Sequence, residues 1–69
     1  MNRAPVMREV NVDFRGMPYS ASYVISADVV TVQSHYGSLC TEISESSARA
    51  IARTLFREIL ETARRRGSL

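Results

Sequence analysis

His35 and Cys40 are the chain's single histidine and single cysteine, and both fall in the stretch VVTVQSHYGSLCTEI, residues 29–43. An imidazole beside a thiol can generate a thiolate nucleophile. The stretch reads as strand, break, strand. A tight turn at Tyr36-Gly37-Ser38 would set His35 opposite residue 38 or 39 and bring Cys40 within its reach. A working nucleophile also needs an orienting group, an oxyanion hole and a concave pocket, and geometry ranks before pKa in naming a base. A flat sheet face on a chain of 69 residues offers none of these. The favoured reading is a turn-flanking histidine and a small, inert cysteine.

The remaining candidates are weaker. Glu9, Asp13 and Glu42 are the acidic residues of the strand-like segments. Glu9 and Asp13 lie four apart on one strand, roughly 13 Å along it, too far to share a proton. Gly16, Gly37 and Gly67 are scattered, so no phosphate-cradling loop forms, and no metal-ligand spacing exists. The expectation is a non-enzymatic chain with no catalytic residue, no metal and no cofactor.

Arginine supplies the other chemistry. All nine basic residues are Arg, with no Lys, and the net charge is +2. That bias tracks GC-rich genomes and points to a bacterial source. Arg49, Arg53 and Arg57 form an i, i+4 ridge, Arg64 continues it, and Arg65 and Arg66 complete a basic end. Such a ridge can follow a phosphate backbone. It can equally be a solvated helix face, since Arg57–Glu61 and Glu61–Arg65 have i, i+4 spacing. The solvated face is favoured, with nucleic acid as the alternative partner.

The elements that must position these residues follow from periodicity. Residues 1–7 read as a tail around Pro5. REVNVDFR alternates, with Val10, Val12 and Phe14 on one face, as a half-buried strand does. Gly16-Met17-Pro18 reads as a break. YSASYVIS then places Ala21, Tyr23 and Ile25 inward, and Ala27-Asp28 is a short turn. VVTVQSH places Val30 and Val32 inward. LCTEI, with Leu39, Thr41 and Ile43 on one side, is either a fourth strand or the third continuing through a bulge. Short links force antiparallel neighbours.

From Ser44, read as the N-cap with Glu45 behind it, the period becomes helical. Ala48, Ile51, Ala52, Leu55, Ile59 and Ala63 recur at three and four, and Gly67 terminates the run. The spacing predicts a helix of about 22 residues, about 33 Å long. The chain is therefore α+β: an antiparallel meander of three or four strands with one long C-terminal amphipathic helix on one face. One domain covers residues 8–67, and 68–69 form a tail. The expected core is Val10, Val12, Phe14, Ala21, Tyr23, Ile25, Val30, Val32, Ile43, Ile51, Ala52, Leu55 and Ile59.

A helix of that length overhangs strands of about seven residues, which span about 23 Å. Phe56, Leu60 and Ala63 then lie outside the stripe one sheet face can cover, unless Phe56 and Leu60 fold over the sheet edge and cover it. A domain this small is marginal alone and needs a disulfide, a metal or a second chain. A lone cysteine and a lone histidine exclude the first two within one chain. The expectation is a homodimer formed through Phe56, Leu60 and Ala63, working as a protein–protein interaction module. No apolar run approaches the roughly 20 residues a membrane helix needs, and MNRAPVMREV lacks a signal-peptide core. The reading is cytoplasmic, with no membrane partner.

In layout the chain resembles the DNA-binding domains of plant ethylene-response factors and of some integrase arms, which pack a three-stranded sheet on a C-terminal helix. Those domains read DNA with an Arg- and aromatic-rich outer sheet face. The corresponding face here carries Glu9, Asn11, Asp13, Ser20, Ser22, Gln33 and Glu42, and its carboxylates repel phosphate. The segment RGMPYSASYVISADVVTVQSHYGSLCTEI also resembles small bacterial proteins whose strands end in a Tyr-Gly-Ser turn before an Arg-rich helix. That likeness brings no activity with it.

Overall fold

Alternating apolar residues and three short links produce a four-stranded antiparallel sheet in the simple order β1-β2-β3-β4. The computed structural model describes residues 7–43 and 47–69. Its elements are β1 (Arg8–Phe14), β2 (Met17–Ser26), β3 (Val29–Ser34), β4 (Gly37–Glu42) and α1 (Ala48–Arg65). The α+β meander is thus observed with four strands. The segment after Tyr36 is a separate strand and not a bulged continuation of β3.

Each hairpin closes through two residues. Phe14 faces Met17, so Arg15 and Gly16 form the first turn. Both have positive φ, 53° and 80°, as a turn matched to the strand twist requires. The break therefore lies one residue earlier than Gly16-Met17-Pro18, and Met17 and Pro18 belong to β2. Pro18 is tolerated there because it faces Asp13 next to the closing pair. Its nitrogen points away from β1, toward ground that β3 never reaches, since β3 pairing stops at Ser22–Gln33. The second turn is Ala27-Asp28, with φ of 49° and 62° and no glycine. The third is His35-Tyr36, closed by Ser34 and Gly37. There the Ser34 hydroxyl donates to the Gly37 carbonyl at 2.9 Å and accepts from the Tyr36 amide at 3.0 Å.

The helix begins later than its sequence pattern implies. Ser47 is the N-cap, its hydroxyl accepting from the Ala50 amide at 3.1 Å; Ser44 and Glu45 lie outside the described residues. At the other end Gly67 adopts φ 77°. The Ser68 amide reaches the Ala63 carbonyl at 2.8 Å and the Gly67 amide reaches Arg64 at 3.0 Å. This paired pattern satisfies the last carbonyls of a helix, so Ser68 is part of the cap and not of a free tail.

α1 packs across the inward sheet face. Val10, Val12, Phe14, Ala21, Tyr23, Val30 and Val32 meet Ile51, Ala52, Leu55, Phe56, Ile59 and Leu60 in one core. Two expected core members differ. Ile25 is 39% exposed, because β1 pairing begins at Arg8–Tyr23 and leaves Ile25 described strand neighbours only on β3. Ile43 packs on the core but is half-buried.

The larger correction concerns Phe56, Leu60 and Ala63. They are 0%, 0% and 3% exposed within a single chain, so they are core and offer no surface to a second copy. The overhang is smaller than expected. α1 has 18 residues, about 27 Å at 1.5 Å each, against about 20–23 Å for β1, β3 and β4, and β2 with 10 residues reaches further. Phe56 and Leu60 belong to the same core cluster as Val10, Val12 and Phe14 of β1, and so lie within the stripe the sheet covers.

Candidate functional site

The His35–Cys40 pair does not form a catalytic dyad. His35 sits in the third turn, where its ring stands edge-on to Tyr36 at 5.5 Å. Cys40 lies opposite Thr31 on the outer face, three residues beyond Gly37 and so about 10 Å along the strand. The two line different hollows: His35 one on the outer face with Ser20 and Gln33, Cys40 one beside α1. Among the described residues, no three His, Cys, Asp or Glu side chains gather as a metal site would require, and no polar or charged residue is buried. Among the described residues, no helix is long and apolar enough to cross a membrane.

Arg49, Arg53, Arg57, Arg64, Arg65 and Arg66 are all exposed. Arg49, Arg53 and Arg57 keep the i, i+4 ridge, while Arg64 and Arg65 fill the last turn of α1, where positive charge complements the helix dipole. Arg66 is the C-cap residue.

The feature that periodicity did not reveal is an unequal closure of the core. On one flank of α1, Phe56 and Leu60 are sealed at 0% exposure; on the other, Ile51 and Leu55 are also buried, at 9% and 8%, and what stays exposed beside them is Leu39 of β4. This second flank faces β4, and a hollow between them is lined by Leu39, Thr41, Ile51, Thr54, Leu55 and Glu58. The cause lies in which residues each edge strand turns inward. β1 offers Val10, Val12 and Phe14. β4 offers Gly37, Leu39 and Thr41, which pair with Ser34, Val32 and Val30. One large apolar residue cannot fill the space that three fill, and Leu39 stays 38% exposed.

β4 is also the unguarded edge. All six of its residues are exposed, and GSLCTE carries a single charge, Glu42. β1, REVNVDF, carries Arg8, Glu9 and Asp13. Charge along an edge strand discourages pairing with another sheet, and β4 carries less of that protection than β1. Comparison with family models, with curated proteins and with solved structures finds no match. The site therefore rests on its own geometry: a free strand edge, an open apolar seam beneath it and a shallow wall of Thr54 and Glu58 above. That arrangement suits main-chain pairing with a strand and leaves little depth for a small molecule. The signal was present in the sequence, in the contrast of charge and inward bulk between the first and last strands.

Proposed function

We propose that this chain is a small non-enzymatic protein–protein interaction module, acting as a homodimer joined along β4 and the seam beside α1. The observation that carries the reading is β4 itself, exposed along its whole length above a seam that one copy leaves open. Strand addition satisfies the free main-chain groups and covers Leu39, the one large apolar side chain that β4 leaves exposed. A second chain also supplies the support that a domain of 69 residues otherwise lacks. A cytoplasmic setting suits a lone free thiol, Cys40. A polyanion partner is the weaker reading: the exposed arginines share α1 with Glu58 and Glu61, and the outer sheet face carries Glu9, Asp13 and Glu42.

Sedimentation velocity across a wide dilution series tests the proposal, with wild type compared to Cys40→Pro. The Cys40 amide points away from β3, so proline there blocks the free edge without removing a bond of the sheet. The expected result is a wild-type dimer, and a Cys40→Pro monomer with an unchanged circular-dichroism spectrum. A wild type that sediments at 7.7 kDa at every concentration overturns the dimer. A dimer that survives Cys40→Pro places the contact elsewhere.

A further inference from the structure

The strand register fixes which main-chain groups are free, and from that the way two copies can meet. A two-residue hairpin closes on a residue pair that exchanges both hydrogen bonds, and such pairs then alternate along the ladder. Ser34–Gly37, Val32–Leu39 and Val30–Thr41 are accordingly the bonded pairs of β3 and β4. The Ile43 amide continues the alternation by donating to the Asp28 carbonyl at 2.7 Å. The amides and carbonyls of Ser38, Cys40 and Glu42 therefore face the open edge.

A two-fold axis perpendicular to the sheet keeps both helices on one face and makes the contact self-complementary. It pairs free-facing residues with free-facing residues. With the axis at Leu39 or at Thr41, only two of the three find partners within β4. With the axis at Cys40, all three do: Ser38 meets the partner's Glu42, Cys40 the partner's Cys40, and Glu42 the partner's Ser38. On the helix face Leu39 then sits beside the partner's Thr41, twice, along the open seam.

Charge selects the same pairing. The free-facing residues of β1 are Glu9, Asn11 and Asp13, since Phe14, Val12 and Val10 are bonded to β2. Joining two β1 edges with all three engaged sets Glu9 against the partner's Asp13 on both sides. Joining β1 to β4 in the same antiparallel manner sets Glu9 against Glu42. Like charges directly opposite destabilise a ladder. The β4 pairing centred on Cys40 brings no two carboxylates opposite.

We propose that two copies join as one eight-stranded antiparallel sheet with the two Cys40 residues facing each other across the two-fold axis. The inference rests on the homodimer proposed above. On the outer face it also lines up a single row. Val24 pairs with Thr31 and Thr31 with Cys40 within each chain, so a strip of small uncharged side chains runs without interruption through the axis into the second copy.

The register is tested by thiol cross-linking with a short bis-maleimide, beside sedimentation of the same samples. Bonded antiparallel residues have Cα atoms about 5.5 Å apart, so wild type should cross-link through Cys40 with a yield that does not fall on dilution while the dimer persists. In a Cys40→Ser background, Ser38→Cys and Glu42→Cys chains should each fail to link alone, since each thiol then lies about 13 Å from its own copy. Mixed and allowed to exchange, they should link to each other. A dimer whose Cys40 residues do not link, or in which Ser38→Cys links to itself, overturns the register while leaving the homodimer standing. A monomer in sedimentation removes both.

Discussion

Tyr36 stands edge-on to Tyr19, with ring centroids 5.6 Å apart and ring planes at 81°. Tyr19 in turn meets Phe14 at 6.3 Å and 69°. The start of β2 runs past the end of β3, whose pairing stops at Ser22–Gln33, so no strand closes the core there. A turn residue closes it instead. Edge-on aromatic pairs contribute about 0.5–1.5 kcal/mol beyond the area they bury. Tyr36→Ala should therefore destabilise by about 1–2 kcal/mol, and Tyr36→Phe, which keeps the ring, by much less. Urea midpoints of the two variants decide it; equal midpoints would mean the ring does not cap the core.

Phe56 and Leu60 have no exposed surface. Truncating such residues costs about 3–5 kcal/mol for Phe→Ala and about 2–5 kcal/mol for Leu→Ala. At about 0.05–0.15 kcal/mol per residue, a chain of this size has a total stability of only about 3–10 kcal/mol. Phe56→Ala should forfeit about a third or more of that stability and melt far below wild type at every protein concentration. If it keeps the wild-type melt and changes only its mass in solution, the residue belongs to an interface and not to the core.

The Ala27-Asp28 turn holds two residues without glycine at φ 49° and 62°. The left-handed region costs an ordinary L-residue about 1–2 kcal/mol, and Asn-Gly is the pair such a turn favours. The double substitution Ala27→Asn, Asp28→Gly keeps the Asp28 main-chain carbonyl that accepts from Ile43. It should raise stability by about 1 kcal/mol, which is about 4–8 °C in Tm for a domain of this size. A melting temperature that stays level or falls would contradict the strain.

The class of the fold could be read from the sequence because the alternation of Val10, Val12 and Phe14, and the three-and-four spacing from Ala48 to Ala63, are each strong local signals. What escaped depends on three dimensions. Ser44 reads as the cap because it opens the helical period, whereas the observed cap is Ser47, whose hydroxyl accepts from the Ala50 amide. Pro18 reads as a breaker unless the unequal lengths of β2 and β3 are known. Phe56 and Leu60 look surplus to one sheet face, yet they pack in one core with Val10, Val12 and Phe14 of β1. The β4 edge was the least visible feature. Hydrophobic periodicity marks where apolar residues are, whereas this site arises where Gly37 and Thr41 leave them out.

The three two-residue turns have a consequence in time. Strand pairing joins residues no more than 15 positions apart, as in Arg8–Tyr23, so the meander forms through short loop closures alone. The helix must then fold back over the finished sheet, and its contacts reach β1, the strand farthest from it in sequence. Closing that longest loop is the slower step. Until it is taken, the paired strands present a bare face and a bare edge together, and the order in which contacts form, more than final stability, sets the moment at which this chain is most open to contact with its neighbours.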